Sequence, residues 1–224
     1  MPLSPFLDVD TPITFKDQPG VQSAVLYTHI PLCNLECFQC HNKAGFDPST
    51  QFASYEKLLD KLNKLKLLGV ELIIVSGGEP LLEKRLKEGL KFIKQLGFSV
   101  RVDTNGTLPE TIEQLIREKV VDGFALDVKI PIKSVYFDDE IERFNEILYS
   151  KKEKNEKKIK LYVQKIKKSI EKIKKLAIAN DFQYTILRTV KYPLLKEEDI
   201  EEIKRFVRET GIPFQLNPFY PVEA

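Results

Sequence analysis

Three cysteines lie within eight residues of one another, in the segment Cys33-Asn-Leu-Glu-Cys37-Phe-Gln-Cys40, and the chain has no others. An odd number of cysteines this close together makes a poor disulfide framework, so we interpret them as metal ligands in a reducing compartment. A cubane iron–sulfur cluster normally takes four cysteines. Because no fourth is present, one iron would stay open to another ligand, and an open coordination position distinguishes a reactive metal site from a structural one.

A zinc ion is the main alternative to a cluster, with His41 as the fourth ligand. The sequence disfavours zinc, because the adjacent Cys40 and His41 point in divergent directions and the usual zinc spacings differ. A cluster that only transfers electrons is favoured less still, since it would be expected to have its fourth cysteine.

Four further polar features follow strand-like runs along the chain. Ser76–Pro80 reads SGGEP, where two glycines let the backbone approach a ligand closely. Asp103–Gly106 reads DTNG, and Arg188 is the last of the four. Alternation places Asp127 and Lys129 on one face of a strand, a matched acid and base suited to grip an amino acid zwitterion. The alternatives are a tight turn for the glycines and a structural salt bridge for the charged pair.

Short β-rich runs alternate with amphipathic helical segments along the chain. The predicted strands are Val21–Tyr27, Leu72–Val75, Ser99–Val102, Gly123–Val128, Tyr184–Val190 and Phe214–Leu216. Strands that alternate with helices indicate an α/β fold with a parallel sheet. The cysteine segment and the four polar features all come at the carboxyl end of a predicted strand, and in α/β barrels these ends form the catalytic rim.

Residues typical of helix ends define three of the predicted helices. Ser54 begins one helix, which closes at Gly69. Thr107 and Glu110 predict a capping box at the start of a second. A third lies near Lys196–Thr210 and stops at a glycine.

The segment Lys151–Lys175 holds 12 Lys and 3 Glu, a local charge of +9, and its apolar residues recur at helical spacing. This pattern predicts one amphipathic helix with a basic outer face, within a Lys-rich helical insertion at about residues 137–176. The plainer interpretation is a barrel helix with a solvated surface, and docking of an acidic partner is the alternative. Asp138–Glu156 is charged and low in β-branched residues, so we expect it to be partly mobile.

Length and composition favour a single domain over residues 1–224. With 42% hydrophobic content, a chain of 224 residues is long enough to form one core but too short for two independent enzymatic domains. The 35 Lys and Arg nearly balance the 33 Asp and Glu, which gives no reason to expect nucleic acid or a membrane as a partner. The first residues lack a signal-like pattern, and no apolar run approaches the ~20 residues that span a bilayer. We therefore expect a soluble, cytoplasmic protein.

The Cys-x3-Cys-x2-Cys spacing resembles the signature of the radical S-adenosylmethionine (SAM) superfamily. The resemblance implies a partial (β/α)6 barrel with a lateral opening, a 4Fe-4S cluster on Cys33, Cys37 and Cys40, and SAM bound to the open iron. An electron from the cluster then cleaves SAM to methionine and a 5′-deoxyadenosyl radical, so the cofactor carries the difficult chemistry. The residues implied in cofactor binding are Gln39, His41, Asn42, Gly77, Gly78, Glu79, Asp103, Thr104, Asn105, Asp127, Lys129 and Arg188.

Within the superfamily, the chain resembles the activating proteins of glycyl radical enzymes, and most closely those of anaerobic ribonucleotide reductase. The segments that carry this resemblance are Asp17–Gly20 (DQPG), Cys40–Asn42 (CHN), Val102–Gly106 (VDTNG) and Leu126–Pro131 (LDVKIP). It implies that His41 and Asn42 lie beside the cluster without binding iron. It also implies a monovalent cation held by Asp103 and Thr104, near the SAM carboxylate.

The reaction implied is abstraction of a hydrogen atom from one backbone glycine of a large partner enzyme, with a flavodoxin or ferredoxin as the electron donor. Other functions stay open. The chain could serve another glycyl radical enzyme, of the pyruvate formate-lyase type, or act on a small molecule. A non-enzymatic metal-binding module is a further alternative, and it predicts no cleavage of SAM.

The cysteine assignment is tested by iron content. If Cys33, Cys37 and Cys40 are the only protein ligands of a cubane, protein reconstituted without oxygen should carry about four irons per chain. Changing any one of them to alanine should lose the cubane, because only two thiolates would remain to hold it. Iron and sulfide analysis with visible absorbance measures this. Stoichiometric zinc with little iron in the wild-type protein would contradict the assignment.

Overall fold

The computed structural model describes residues 2–44 and 47–222. Its strands are β1 Leu3–Leu7, β2 Ile13–Thr14, β3 Ser23–Tyr27, β4 Phe52–Ser54, β5 Leu72–Ser76, β6 Ser99–Thr104, β7 Gly123–Asp127, β8 Ile186–Val190 and β9 Phe214–Asn217. Its helices are α1 His41–Ala44, α2 Tyr55–Leu67, α3 Leu86–Gln95, α4 Pro109–Arg117, α5 Asp138–Tyr149, α6 Glu156–Ala179 and α7 Glu197–Thr210, with a short 3-10 helix at Pro80–Leu82. Within the described ranges, no helix is long and apolar enough to cross a membrane.

Seven strands form one sheet in the order β2-β3-β5-β6-β7-β8-β9, so their spatial order follows the chain. The six strands from β3 to β9 in this order are parallel, and β2 pairs antiparallel with β3 at one edge. Helices make every crossover between the parallel strands. The sheet curls into a half-barrel, which confirms the predicted partial (β/α)6 barrel.

All six predicted strands are present, with ends that differ by one or two residues. Three strands were missed. β2 and β4 have only two and three residues, too few to show a periodic pattern. β1 contains Pro5 and pairs with β4 in a separate two-stranded sheet, and a proline within a short run argues against a strand.

The helix boundaries agree with the sequence in two of three cases. Ser54 caps α2 by accepting a hydrogen bond from Lys57 N at 3.2 Å, and α7 ends at Gly211, whose φ is 74°. The prediction of a capping box at Thr107 is wrong. Leu108 precedes α4 without a side-chain cap, because the Thr107 hydroxyl instead donates to Asn105 Oδ1 at 2.7 Å in the loop after β6.

The expectation of partial mobility over Asp138–Glu156 is wrong for most of that segment. α5 occupies Asp138–Tyr149, and its buried residues are Ile141, Phe144, Asn145, Ile147 and Leu148. Their spacing of three and four places them on one helix face, which packs into the core. The apolar face outweighs the charge of the segment, so the chain orders here.

The Lys-rich segment forms α6, which begins at Glu156 and continues to Ala179. Its buried residues are Ile159, Tyr162, Val163, Ile166, Ser169, Ile170, Ile173 and Ala177. The helix packs against α4 and β7 and, together with α5, connects β7 to β8. α6 therefore occupies the position of a barrel helix, and its lysines form a largely solvated outer face.

Candidate functional site

A cavity of about 320 Å³ lies at the carboxyl ends of the parallel strands, within the size range of small-molecule sites, ~300–1,000 Å³. The predicted site residues that line it are Cys33, Cys37, Gln39, Cys40, His41, Asn42, Gly77, Gly78, Asp103, Thr104, Asn105, Asp127, Lys129 and Arg188. Of the predicted set, Glu79 alone does not line it. The wall also contains Leu35, Ser76, Val190, Tyr192 and Asn217.

The cysteine loop, residues 33–40, is held on one side by α5. The backbone N–H groups of Glu36 and Phe38 donate to Leu148 O at 3.1 Å and Ile147 O at 3.0 Å. The last carbonyls of a helix have no partner within it, so α5 offers the loop acceptors that are otherwise unused. Ser150 Oγ adds a bond to Glu36 O at 2.7 Å. The element expected to be mobile is therefore a support of the cysteine loop.

The loop after β6 holds the other end of the cysteine loop. Asn105 Nδ2 donates to Asn34 Oδ1 at 2.9 Å and lies 3.8 Å from Cys33 Sγ. Asn34 Nδ2 in turn donates to Thr107 Oγ1 at 2.7 Å. Asn34 was not predicted as a site residue. Nothing in the sequence beside Cys33 indicates that its side chain would bond to the loop after β6. The contacts fix the position of Cys33 against the rim.

The three thiols face the cavity and are free of disulfides. Burial raises the pKa of the Cys33 thiol and raises that of Cys37 to about 11, and binding a metal would replace these protons. In the described part of the chain, no three His, Cys, Asp or Glu side chains are grouped so as to hold a single metal ion. That finding concerns one-ion sites, whereas each thiolate of a cubane binds its own iron.

The two glycines of the SGGEP turn pack against the chain that leads into the cysteine loop. A Cβ at Gly77 would lie 2.3 Å from Thr28 Oγ1, and one at Gly78 would lie 2.3 Å from Ile30 O. Gly77 also has a φ of 140° and accepts a hydrogen bond from Asn42 Nδ2 through its carbonyl. Glycine is thus required here for contact within the chain, as well as for any close approach to a ligand.

Glu79 lies behind the cavity wall and is 1% exposed. Its Oε1 accepts from Leu81 N at 3.1 Å and from Thr104 Oγ1 at 2.8 Å, and its Oε2 accepts from Asn105 N at 2.7 Å. Burial raises the pKa of this carboxyl to about 7, although the three hydrogen bonds oppose the shift. Glu79 joins the turn after β5 to the end of β6, and its contact with SAM stays a prediction.

Five charged side chains form a ladder across the end of the sheet, in the order Arg101, Asp103, Arg188, Asp127 and Lys129. The successive shortest N···O distances are 3.0, 2.8, 3.1 and 3.2 Å. Burial opposes the charge on Asp127, but Lys129 and Arg188 outweigh it and lower the pKa of its carboxyl. The same contacts raise the pKa of Lys129 and Arg188 despite burial. Asp127, Lys129 and Arg188 are therefore ionised.

The predicted monovalent cation receives no support from this geometry. Asp103 already binds two cations, Arg101 through Oδ1 and Arg188 through Oδ2. The Thr104 hydroxyl donates to Glu79. Both predicted ligands are engaged within the chain, and the two guanidinium groups beside Asp103 would repel a further cation.

The inner face of α6 positions two parts of the rim. Tyr162 Oη accepts from Lys129 N at 3.0 Å and donates to Asp127 O at 3.3 Å, so it fixes the backbone of the charged pair. Ser169 Oγ donates to Gly106 O at 2.7 Å in the loop after β6.

Tyr192 lines the cavity but was not predicted as a site residue. It lies two residues after the end of β8, as Lys129 lies two residues after the end of β7. Its position after a strand is the feature of the sequence that could have identified it.

A profile of the Radical SAM superfamily matches residues 27–208. The match covers most of the chain and includes the cysteine loop, the SGGEP turn and the charge ladder. The chain therefore belongs to the radical SAM superfamily.

The chain is similar to proteins with two different names. A protein of Methanocaldococcus jannaschii named "Putative glycyl-radical enzyme activating enzyme MJ1227" is 31% identical over 209 residues, which is 93% of this chain and 77% of the relative. A "Probable GTP 3',8-cyclase" of Methanococcus maripaludis is 32% identical over 106 residues, 46% of this chain and 36% of the relative. The chain thus spans about a third of the cyclase.

Solved structures share the fold. SuiB of Streptococcus suis bound to S-adenosylmethionine has a TM-score of 0.57 at 18% identity, over 91% of this chain and 41% of SuiB. A structure of TYW1 with a lysine-pyruvate adduct has a TM-score of 0.55 at 15% identity, over 94% of this chain and 70% of TYW1. At these identities the likeness is one of fold alone.

Membership of the superfamily implies a 4Fe-4S cluster and SAM, and the residues present fit both. Three thiols on one loop supply three of the four ligands that a cubane needs. Asp127 and Lys129 add one negative and one positive group to the cavity wall, which suits the amino acid end of SAM.

The raised pKa of Glu79 predicts a pH dependence of stability. The pKa of Glu79 is about 7 in the folded protein, against an ordinary value of 4.5. Protonated Glu79 therefore stabilises the fold fully below the unfolded pKa, and this stabilisation, about 3 kcal/mol at most, is lost as the pH rises through about 7. We expect the free energy of unfolding of wild type, relative to Glu79→Gln, to fall between about pH 5 and about pH 8. Urea titrations of both proteins measure this. A constant difference would contradict the shift.

Proposed function

We propose that this chain is a radical SAM activating enzyme that generates a glycyl radical on a partner enzyme, and that this partner is an anaerobic ribonucleotide reductase. The observation that carries the proposal is the rim cavity, which is lined by the three thiols and by four members of the charge ladder. The similarity of nearly the whole chain to a protein named as an activating enzyme supports the reaction class. When bound, the cluster and SAM would supply one-electron cleavage of SAM and abstraction of a hydrogen atom.

The chain's own residues bind and orient these groups. Cys33, Cys37 and Cys40 would hold three irons and leave the fourth for SAM. Asp127 would accept from the ammonium of SAM, and Lys129 would donate to its carboxylate. Arg188 holds the Asp127 carboxylate, and the Tyr162 hydroxyl fixes the backbone at Asp127 and Lys129. Fixing both ends of the methionine group sets the angle at which SAM meets the open iron.

The substrate side of the cavity favours a protein loop. From β8 onward, the cavity wall contains Arg188, Val190, Tyr192 and Asn217. Arg188 is already paired with Asp103 and Asp127, which leaves Tyr192 and Asn217 as the polar side chains available to a substrate. A small metabolite usually needs several placed polar contacts, whereas a backbone glycine can be presented by the surface around it. A flavodoxin or a ferredoxin would supply the electron.

A radical SAM enzyme that acts on a small molecule is the second candidate. It is favoured by the matches to proteins named as GTP 3',8-cyclases, which are as identical as the activating enzyme but over less than half of this chain. We prefer the activating enzyme, because the similarity to the protein of that name covers 93% of this chain and the similarity to the cyclase only 46%.

The assignment of Asp127 predicts a separation of roles. Asp127→Ala should keep the cluster but weaken SAM binding by roughly tenfold or more, because it removes a hydrogen bond between charged groups. Titration of the reconstituted protein with SAM, by calorimetry, measures this. Asp122→Ala is the matched control, since Asp122 also pairs with a lysine, Lys94 at 2.7 Å, but lies before β7 at the opposite end of the strand. Equal affinity in the two variants would count against the role of Asp127.

The proposed reaction predicts a glycine-centred radical. Reduced protein and SAM, incubated with the cognate anaerobic ribonucleotide reductase, should give a glycyl signal in electron paramagnetic resonance. Replacing the partner's radical glycine with alanine should abolish the signal while binding of the two proteins persists, because the loop still enters the cavity. Consumption of a small metabolite in step with SAM, without any glycyl signal from the reductase, would favour the second candidate.

A further inference from the structure

The segment that follows β9, residues 218–222, runs back across the open side of the half-barrel to the cysteine loop. We call this segment the rim strap. The ring centroid of Phe219 lies 6.0 Å from that of Phe38, 6.3 Å from that of His41 and 5.9 Å from that of Tyr192. One ring therefore joins the last strands of the sheet to the loop that follows the first parallel strand.

A second contact joins the rim strap to the same stretch of the cysteine loop. Val222 N donates to Gln39 Oε1 at 3.3 Å. Gln39 has a φ of 43°, in the left-handed region that residues other than glycine rarely adopt. Such a conformation persists only where the surroundings hold it. Between Cys37 and Cys40 the loop thus needs external support.

The two ends of the cysteine loop are supported by different elements. α5 binds the backbone N–H groups of Glu36 and Phe38. Beyond Phe38, the rim strap contacts the side chains of Phe38, Gln39 and His41. The half of the loop that carries Cys40 therefore depends on the strap, with one further anchor through Asn42 and Gly77.

We propose that Phe219 is a positioning residue for the cluster: it holds the loop conformation in which the Cys37 and Cys40 thiolates converge on the cavity, and it keeps the rim closed beside them. The proposal rests on the cluster assigned under the proposed function, but not on the identity of the partner enzyme. Phe219 touches none of the reacting atoms and acts through Phe38 and His41.

The test compares three variants of the anaerobically reconstituted full chain. Phe219→Ala removes the ring, and Phe219→Leu keeps most of its apolar volume. Tyr220→Ala is the matched control, because Tyr220 is the adjacent aromatic residue but is 65% exposed. The readouts are the rate of cluster loss to an iron chelator, followed by visible absorbance, and the change that SAM causes in the paramagnetic resonance spectrum of the reduced cluster.

Phe219→Ala should lose its cluster about tenfold faster than wild type, because the aromatic contacts that close the strap are gone. Its reduced spectrum should also change, since the thiolates are held less uniformly. Phe219→Leu should recover most of both properties, and Tyr220→Ala should match wild type. The proposal is overturned if Phe219→Ala behaves as wild type, or if Tyr220→Ala is equally impaired. Absence of iron from the wild-type protein would instead defeat the cluster assignment, so the two failures are distinguishable.

Discussion

The bridge that Arg188 makes between Asp103 and Asp127 is the constraint on which the rest of the site depends. The three residues come from three neighbouring strands, and all are largely removed from water. A buried charge without a partner costs several kcal/mol, so the strand ends can approach one another only with these pairs in register. With Arg101 and Lys129 included, three cations face two carboxylates. The ladder therefore has an excess of one positive charge, which favours the binding of an incoming carboxylate.

The long connection between β7 and β8 is part of this machinery. α5 accepts the backbone hydrogen bonds of the cysteine loop through its last carbonyls, while Tyr162 on α6 holds the backbone of the charged pair across the cavity. One crossover thus supports both walls of the site. The role of α6 is difficult to predict from the sequence. Its many lysines indicate a solvated surface, whereas its contacts with the site come from the buried face.

Sequence reasoning located the site because its motifs are local. Each follows a strand directly, so a correct strand assignment is sufficient to bring Cys33, Gly77, Asp103 and Asp127 to one rim. Contacts between distant segments could not be obtained in this way. The position of Glu79 behind the wall depends on where the end of β6 lies in space, and the support that α5 gives the cysteine loop depends on packing. The strands β2 and β4 and the hydrogen bond of the Thr107 hydroxyl were not predicted for the same reason, because they depend on tertiary contacts.

The two halves of the cavity differ in chemistry, and the difference follows from which strands build them. β6 and β7 end in charged residues that Arg188 of β8 joins, whereas the chain from the end of β8 onward contributes Val190, Tyr192 and Asn217. A fixed polar wall holds a charged cofactor without reorganisation during the reaction. Val190 and Tyr192 add apolar and aromatic surface beside it, and such surface excludes water, which protects a reactive intermediate from side reactions. Phe219 contacts Tyr192 of this wall and Phe38 of the cysteine loop, so the same aromatic contacts join the wall to the loop that carries the thiols.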